Sequence, residues 1–206
     1  MLEDKNTFVH LSKSVDTTKA QLYRERIHAL ETWPVGGVIA EVGVMQGAYT
    51  RPILERVKPE TFWAIDKYEA HDNPKNPRLV ARFEGKTQEA FYRDRFAAEI
   101  EAGQVQIKKG LSYECLAEFP ADTFDAIYID AAHDYASVKA DAEASIPVLK
   151  RDGLLVFNDY AHASPAGQNY GILSVANQLL NSGEWELVYF ALDWKGFPDL
   201  AMRRAP

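Results

Sequence analysis

The chain has 206 residues, 47% hydrophobic and 12% aromatic against 26% charged, which suits one folded domain with a short appendage and excludes a disordered chain. A formal net charge of −7 without any basic run argues against binding to phosphate backbones, so no nucleic-acid partner is expected. The single cysteine, Cys115, cannot close an internal disulfide, no apolar run approaches the ~18 residues of a membrane span, and the start MLEDKNTFVH lacks a basic-then-apolar leader. A soluble, cytoplasmic chain with no membrane partner is the expectation.

Along the chain, short apolar runs alternate with helical patterns. Thr18 and Gln21 form a candidate capping box, and Tyr23, Ile27 and Leu30 continue at helical spacing, which predicts a leader helix ending near Trp33-Pro34. Residues 1–35 therefore read as a helical extension, and 36–206 as the main domain. Val38 to Val42 is the first strand and a helix follows from about Gly47 to Val57. Thr61 to Ile65 is the second strand, ending at Asp66, and the polar stretch Tyr68 to Lys86, with Pro74 and Pro77, reads as a loop. A helix from about Thr87 to Ala102 stops at Gly103, Val105 to Lys108 is a third strand, and Ser112 opens a short helix.

Phe124 to Ile129 is a fourth strand ending at Asp130. The helix after it carries Val138, Ala142, Ile146 and Leu149 on one face, with Pro147 in its last turn and Gly153 closing it. Leu154 to Phe157 is a fifth strand, ending at Asn158-Asp159, and Ile172, Val175, Ala176, Leu179 and Leu180 mark an amphipathic helix. Trp185 to Leu192 and Leu200 to Arg203 predict a terminal hairpin. Strands that alternate with helices form an open parallel sheet, whose ligands bind beyond the carboxyl ends of the strands.

Chemistry gathers at those ends. Glu41-Val-Gly43-Val-Met-Gln-Gly47 is a glycine-bounded turn without the G-x-G-x-x-G of dinucleotide binders, so it suits a ligand that lacks phosphates, such as an adenosine with an amino-acid tail. Asp66 can accept two ribose hydroxyl bonds. Asp130 and His133 follow one strand as D-x-x-H, and Asn158-Asp159 end its neighbour. Asp130, Asn158 and Asp159 form a candidate seat for Mg²⁺, and His133 a candidate base.

The motif E-x-G-x-x-x-G, the acid ending the second strand, F-D-x-I-x-I-D-x-x-H-x-Y and L-x-x-x-G-x-x-x-x-x-D-Y together resemble the class I S-adenosylmethionine-dependent methyltransferases. Within them the chain is most similar to the macrocin-type small-molecule O-methyltransferases and more distantly to catechol O-methyltransferase, over roughly Gly36 to Leu180. The resemblance implies an α/β Rossmann-like methyltransferase fold: a mostly parallel seven-stranded sheet, helices on both faces and a C-terminal antiparallel hairpin. It places Glu41, Gly43 and Gly47 at the methionine end of the cofactor, Asp66 on the ribose and Ser112 facing the adenine. It puts Asp130 near the sulfonium as first metal ligand, with His133 as base. The chain departs from the pattern at Asn158, where the macrocin-type relatives carry an acid, so the cation is optional.

The expected reaction is in-line transfer of a methyl group to a hydroxyl of a small molecule, a sugar or natural product. Ala161 to Tyr170, with His162, Asn169 and Tyr170, would border the acceptor, and Trp63, Trp194 and Phe197 hint at a flat or sugar-like one. Tyr23 and Arg24 of the leader would cover the site or build a homodimer. A metal-independent methyltransferase, a nucleotide-cofactor oxidoreductase and a catalytically silent binding protein stand as alternatives.

Overall fold

The computed structural model describes residue 2 and residues 8–163, 167, 169–193 and 196–206. Among these, eight strands form one sheet: β1 (Gln21–Tyr23), β2 (Val38–Val42), β3 (Thr61–Asp66), β4 (Val105–Lys109), β5 (Phe124–Ile129), β6 (Leu149–Phe157), β7 (Trp185–Ala191) and β8 (Asp199–Arg204). Their order is β1-β7-β8-β6-β5-β2-β3-β4, and every neighbouring pair is parallel except the two that β8 makes. The order reverses between β2 and β5, because β3 and β4 add on one side of β2 while β6 adds beyond β5. That is the place where an open α/β sheet offers a crevice.

Two apolar clusters cover the two faces. On one, Leu116 of α6 (Ser112–Ala117), Val138 and Ala142 of α7 (Tyr135–Val148) and Val175 of α8 (Ile172–Asn181) pack on Val42, Ile127, Ile129 and Phe157. On the other, Ala29 of α1 (Arg26–Ala29), Ile53 of α2 (Thr50–Arg56), Tyr92 of α4 (Gln88–Arg95) and Phe96 pack on Ile39, Ala64, Tyr128 and Val156. Side chains alternate along each strand, so neighbouring residues of β5 serve different clusters. Each buried aliphatic or aromatic side chain contributes roughly 1.5–3 kcal/mol.

The sheet has one strand more than expected. The N-terminal segment is not a continuous helix: Gln21–Tyr23 pairs in parallel with Tyr189–Ala191, and only four residues of α1 and a 3-10 turn (Leu30–Thr32) follow. The open edge of β7 offered backbone partners that outweighed a weak helical propensity. Tyr23 accordingly sets its ring against Tyr189, and the Arg24 side chain is solvent-exposed. The expected helix over 87–102 breaks at Phe96 into α4 and α5 (Ala97–Glu101), with Thr87 capping the first through the Ala90 N–H. The polar loop holds a 3-10 turn (Ala70–Asp72) and α3 (Pro77–Ala81). Gly153 does not close α7 but lies inside β6, since the helix ends just after Pro147 and the chain turns extended at Leu149.

One buried acid on α7 makes a stability test. Asp141 is 1% exposed and accepts a hydrogen bond from Ser112, yet burial pushes its carboxyl up to about 6. The native state then binds more protons than the unfolded chain between the ordinary aspartate range and pH 6, so stability falls as pH rises through that window. Asp141→Asn removes the titration. In urea unfolding at pH 4 and pH 8, the variant should gain on the wild type by roughly 2–3 kcal/mol between the two pH values.

Candidate active site

The residue after each of β2, β4, β5 and β6 is fixed by continuation of the ladder. Gly43 N–H donates to the Ile65 carbonyl (2.8 Å), Asp130 N–H to Val42 (2.7 Å), Asn158 N–H to Ile129 (3.0 Å) and Gly110 N–H to Asp66 (3.0 Å). At the reversal, a Cβ on Gly43 would lie 2.2 Å from the Asp130 carbonyl oxygen, and Gly43 has φ of +88°. Only glycine fits there. Beside this contact a cleft of about 180 Å³ is lined by Gly43, Met45, Asp66, Gln88, Asp130 and Ala131. The structure thus brings three of the expected cofactor residues, Gly43, Asp66 and Asp130, to one crevice.

Asp66 is heavily engaged. Its Oδ2 accepts from the Val44 and Met45 amides (3.0 and 3.1 Å) and from Gln88 Nε2 (3.1 Å), and its Oδ1 from the Tyr68 amide (2.8 Å). A carboxylate has about four acceptor places. As it stands, Asp66 ties the glycine turn to the end of β3, and a pair of ribose hydroxyls must displace some of these donors. Gln88, which also donates to the Met45 carbonyl and accepts from the Ala70 amide, is the easiest to release, because its carboxamide is a side chain.

Three other expected cofactor residues sit away from the cleft lining. Glu41 is 1% exposed and accepts from the Thr50 hydroxyl; burial pushes it up to about 8 against the pull of that bond. Burial therefore favours its neutral form. At Gly47 an added Cβ would strike the Phe96 ring at 2.2 Å, so this glycine serves packing of the turn on α4 and its C-terminal Phe96. Ser112 gives its hydroxyl to Asp141.

Beyond the cleft, Asp130, His133 and Asp159 converge. His133 Nε2 lies 3.4 Å from Asp159 Oδ2 and 3.9 Å from Asp130 Oδ1, is buried, and has no hydrogen-bond partner among the described residues. The imidazole stacks on Tyr170 (centroids 4.6 Å apart), and the His133 carbonyl accepts from Gly171 N–H (2.7 Å). The Asp130 carboxyl is held well above the usual aspartate range, first by burial and then by Asp159, Glu41 and Asp199, with Arg26 opposing.

Asn158 does not join them. Its amide donates to Asp199 Oδ1 (2.9 Å), Tyr128 donates to Asp199 Oδ2 (3.0 Å), and Arg26 Nη1 donates to the Tyr128 hydroxyl (3.3 Å). Asp199 is fully buried and its carboxyl is pushed up to about 7 by that burial, although Arg26, Asn158 and Tyr128 pull it down. The expected metal set of Asp130, Asn158 and Asp159 is therefore not assembled: Asn158 turns into the buried network and leaves two carboxylates. A hard divalent cation wants several converging oxygens. Among the described residues no group of three or more His, Cys, Asp or Glu is arranged to hold one. Asp199, Arg26 and Gln88 were not anticipated from sequence, for lack of any motif around them.

In the loop expected to border the acceptor, Ala163 bridges Asn169, the Tyr170 amide donates to the His162 carbonyl (2.9 Å), and the His162 ring lies 5.0 Å from Phe8. Phe197 is 6.3 Å from Tyr170, whereas Trp63 packs on Phe119 beneath the sheet. Trp194 and residues 164–166 and 168 of this loop lie outside the described residues. No helix among the described residues is long and apolar enough to cross a membrane.

Gly43→Ala should cost roughly 2–4 kcal/mol, from left-handed strain plus a backbone clash that small relaxations cannot relieve. Denaturant unfolding measures the loss, and Gly36→Ala, also left-handed (φ +75°) but with nothing within 4 Å of its Cβ, separates strain from clash.

Comparison with known proteins fits this geometry. No curated protein matches the chain. Among solved structures it is similar to an S-adenosylmethionine-dependent methyltransferase from Aquifex aeolicus (14% identity, 86% of this chain and 87% of that one, TM-score 0.57). It is also similar to precorrin-6y C5,15-methyltransferase from Geobacter metallireducens (12%, 87% and 85%, 0.55) and to an M. jannaschii protein solved in complex with AdoMet (12%, 87% and 75%, 0.52). Identities this low establish the shared Rossmann-like methyltransferase fold. Residues 40–160, more than half of the chain and the span from β2 to the end of β6, match the family described as "Methyltransferase domain", and the protein belongs to that family.

Proposed function

We propose that the chain transfers a methyl group from S-adenosylmethionine to an oxygen of a small-molecule acceptor, with His133 as the base and no step passing through a metal ion. The observation that supports this most is the His133 Nε2: buried, without a hydrogen-bond partner among the described residues, and flanked by Asp159 and Asp130 at the rim of the Gly43 crevice. The Gly43 turn and Asp130 would hold the methionine end of the cofactor and Asp66 the ribose. When bound, the cofactor supplies an electrophilic methyl carbon on a sulfonium.

The protein's own part is to hold and deprotonate the acceptor. His133 would accept the hydroxyl proton at Nε2, with Asp159 facing the imidazolium that results, and the methyl group supplied by the cofactor would pass to the acceptor oxygen as its bond to sulfur breaks, leaving the neutral thioether. Stacking on Tyr170 and the bond from Gly171 to the His133 carbonyl fix the ring, which matters because proton transfer needs hydrogen-bond reach. An acidic rim and a net charge of −7 disfavour an acceptor with a phosphate backbone, so a small hydroxylated molecule is the better fit.

Removing the base tests the assignment. His133→Ala should lower kcat by about 10²–10⁴-fold while affinity for S-adenosylhomocysteine stays within a few-fold. Equal loss of binding and turnover would make His133 a structural residue. Turnover should also survive exhaustive chelation; activity abolished by chelator and restored by Mg²⁺ would return the cation to the reaction. Binding of NAD(H) in place of S-adenosylhomocysteine would favour the oxidoreductase alternative.

A further inference from the structure

On the face of the sheet that carries Glu41 and Asp130, one guanidinium stands among the acids. Arg26 opens α1, its guanidinium carbon lies 4.9 Å over the Tyr49 ring, and its carbonyl accepts from the Tyr49 hydroxyl (3.2 Å). Nη1 donates to Tyr128, which pairs in register with Glu41 and precedes Asp130 by two residues on the same face. The nearest acid, Asp199, is 4.0 Å away and already takes bonds from Asn158 and Tyr128. Nε and Nη2 make no hydrogen bond to a described residue, and the side chain is 31% exposed. Among the described residues that line the crevice beside Gly43 and Asp66 the cation is Lys67, at the Asp66 end, and Arg26 stands outside that lining.

An amino-acid tail is a zwitterion, and this face carries both counterparts: an open guanidinium fork and, coupled to it electrostatically, the Asp130 carboxyl, whose oxygens make no hydrogen bond to a described residue. Guanidinium matches a carboxylate with two parallel N–H···O bonds, which an ammonium cannot do. We propose that Arg26 holds the α-carboxylate of the cofactor's methionine end, an inference that rests on the reading of this rim as an S-adenosylmethionine site. The polar contacts Arg26 already makes through Nη1 would then serve to aim the remaining two nitrogens, and the N-terminal segment would be a working part of the cofactor site.

The test compares two probes that differ only in that carboxylate: S-adenosylmethionine and its decarboxylated analogue, measured by calorimetry against wild type, Arg26→Gln and Arg26→Lys in the full chain. Wild type should bind S-adenosylmethionine more tightly than the analogue. Arg26→Gln should weaken S-adenosylmethionine about 10–100-fold and leave the analogue unchanged, so that the preference collapses. Arg26→Lys should keep part of it. Retained affinity for the analogue shows that the variant site is folded; if the Gln variant does not fold, the partial loss in the Lys variant decides. A preference unchanged by either substitution, an equal weakening of both probes, or no preference in the wild type overturns the assignment to this carboxylate. Wild type that binds neither probe overturns the cofactor site itself, a result distinguishable from the others.

Discussion

The site depends on how closely the ends of β2 and β5 approach. Asp130 donates its amide to Val42, and its carbonyl oxygen then sits where a side chain at residue 43 would have to be. Any residue but glycine would push the strand ends apart, and the crevice beside them would change shape with them. From this contact the other placements follow. The Val44 and Met45 amides turn toward Asp66, Asp130 is held at the rim, and His133, three residues on, reaches Asp159 at the end of the neighbouring strand.

Around that contact the backbone is held in unusual conformations. Met45, Tyr68 and Asp159 all have positive φ without being glycine, and each lies just past a strand end, of β2, β3 and β6 respectively. Such conformations cost on the order of 1 kcal/mol each and persist only where the surroundings enforce them. The enforcing groups can be named. The Asp66 carboxylate binds the Met45 and Tyr68 amides, and the Tyr160 amide after Asp159 donates to the Pro198 carbonyl (2.7 Å). Strained turns of this kind cluster beside ligand-binding clefts in proteins at large.

Much of the fold was legible because buried strands advertise themselves. VIAEV, TFWAI and FDAIYI are short apolar runs bounded by turn residues, and the structure places strands over all three. The edge strand β1 carries no such signal: its residues are mostly exposed, and its pairing comes from the open edge of β7, a partner more than 160 residues away in the chain. The site divides in the same way. Gly43, Asp66, Asp130, His133 and Asp159 were readable as residues that follow strands. Arg26 and Asp199 were not, since their roles arise from facing one another across elements at opposite ends of the chain. Gly47 shows a related limit, as a glycine required by the Phe96 ring looks the same in sequence as one required by a ligand.

The identity of residue 158 shows how a hidden partner redirects a motif. An amide there donates to Asp199, a carboxyl that is completely buried and also takes the Tyr128 hydroxyl. An acid at 158 would set two carboxyls against each other in that interior, with Arg26 at 4.0 Å as the nearest compensation, and one of them would have to stay protonated or turn outward. Asparagine supplies a donor without adding charge. The loss of an acid relative to the metal-binding pattern is thus matched by a buried acid on β8. The rim is left with Asp130 and Asp159 around His133, a set better suited to moving a proton than to caging a cation.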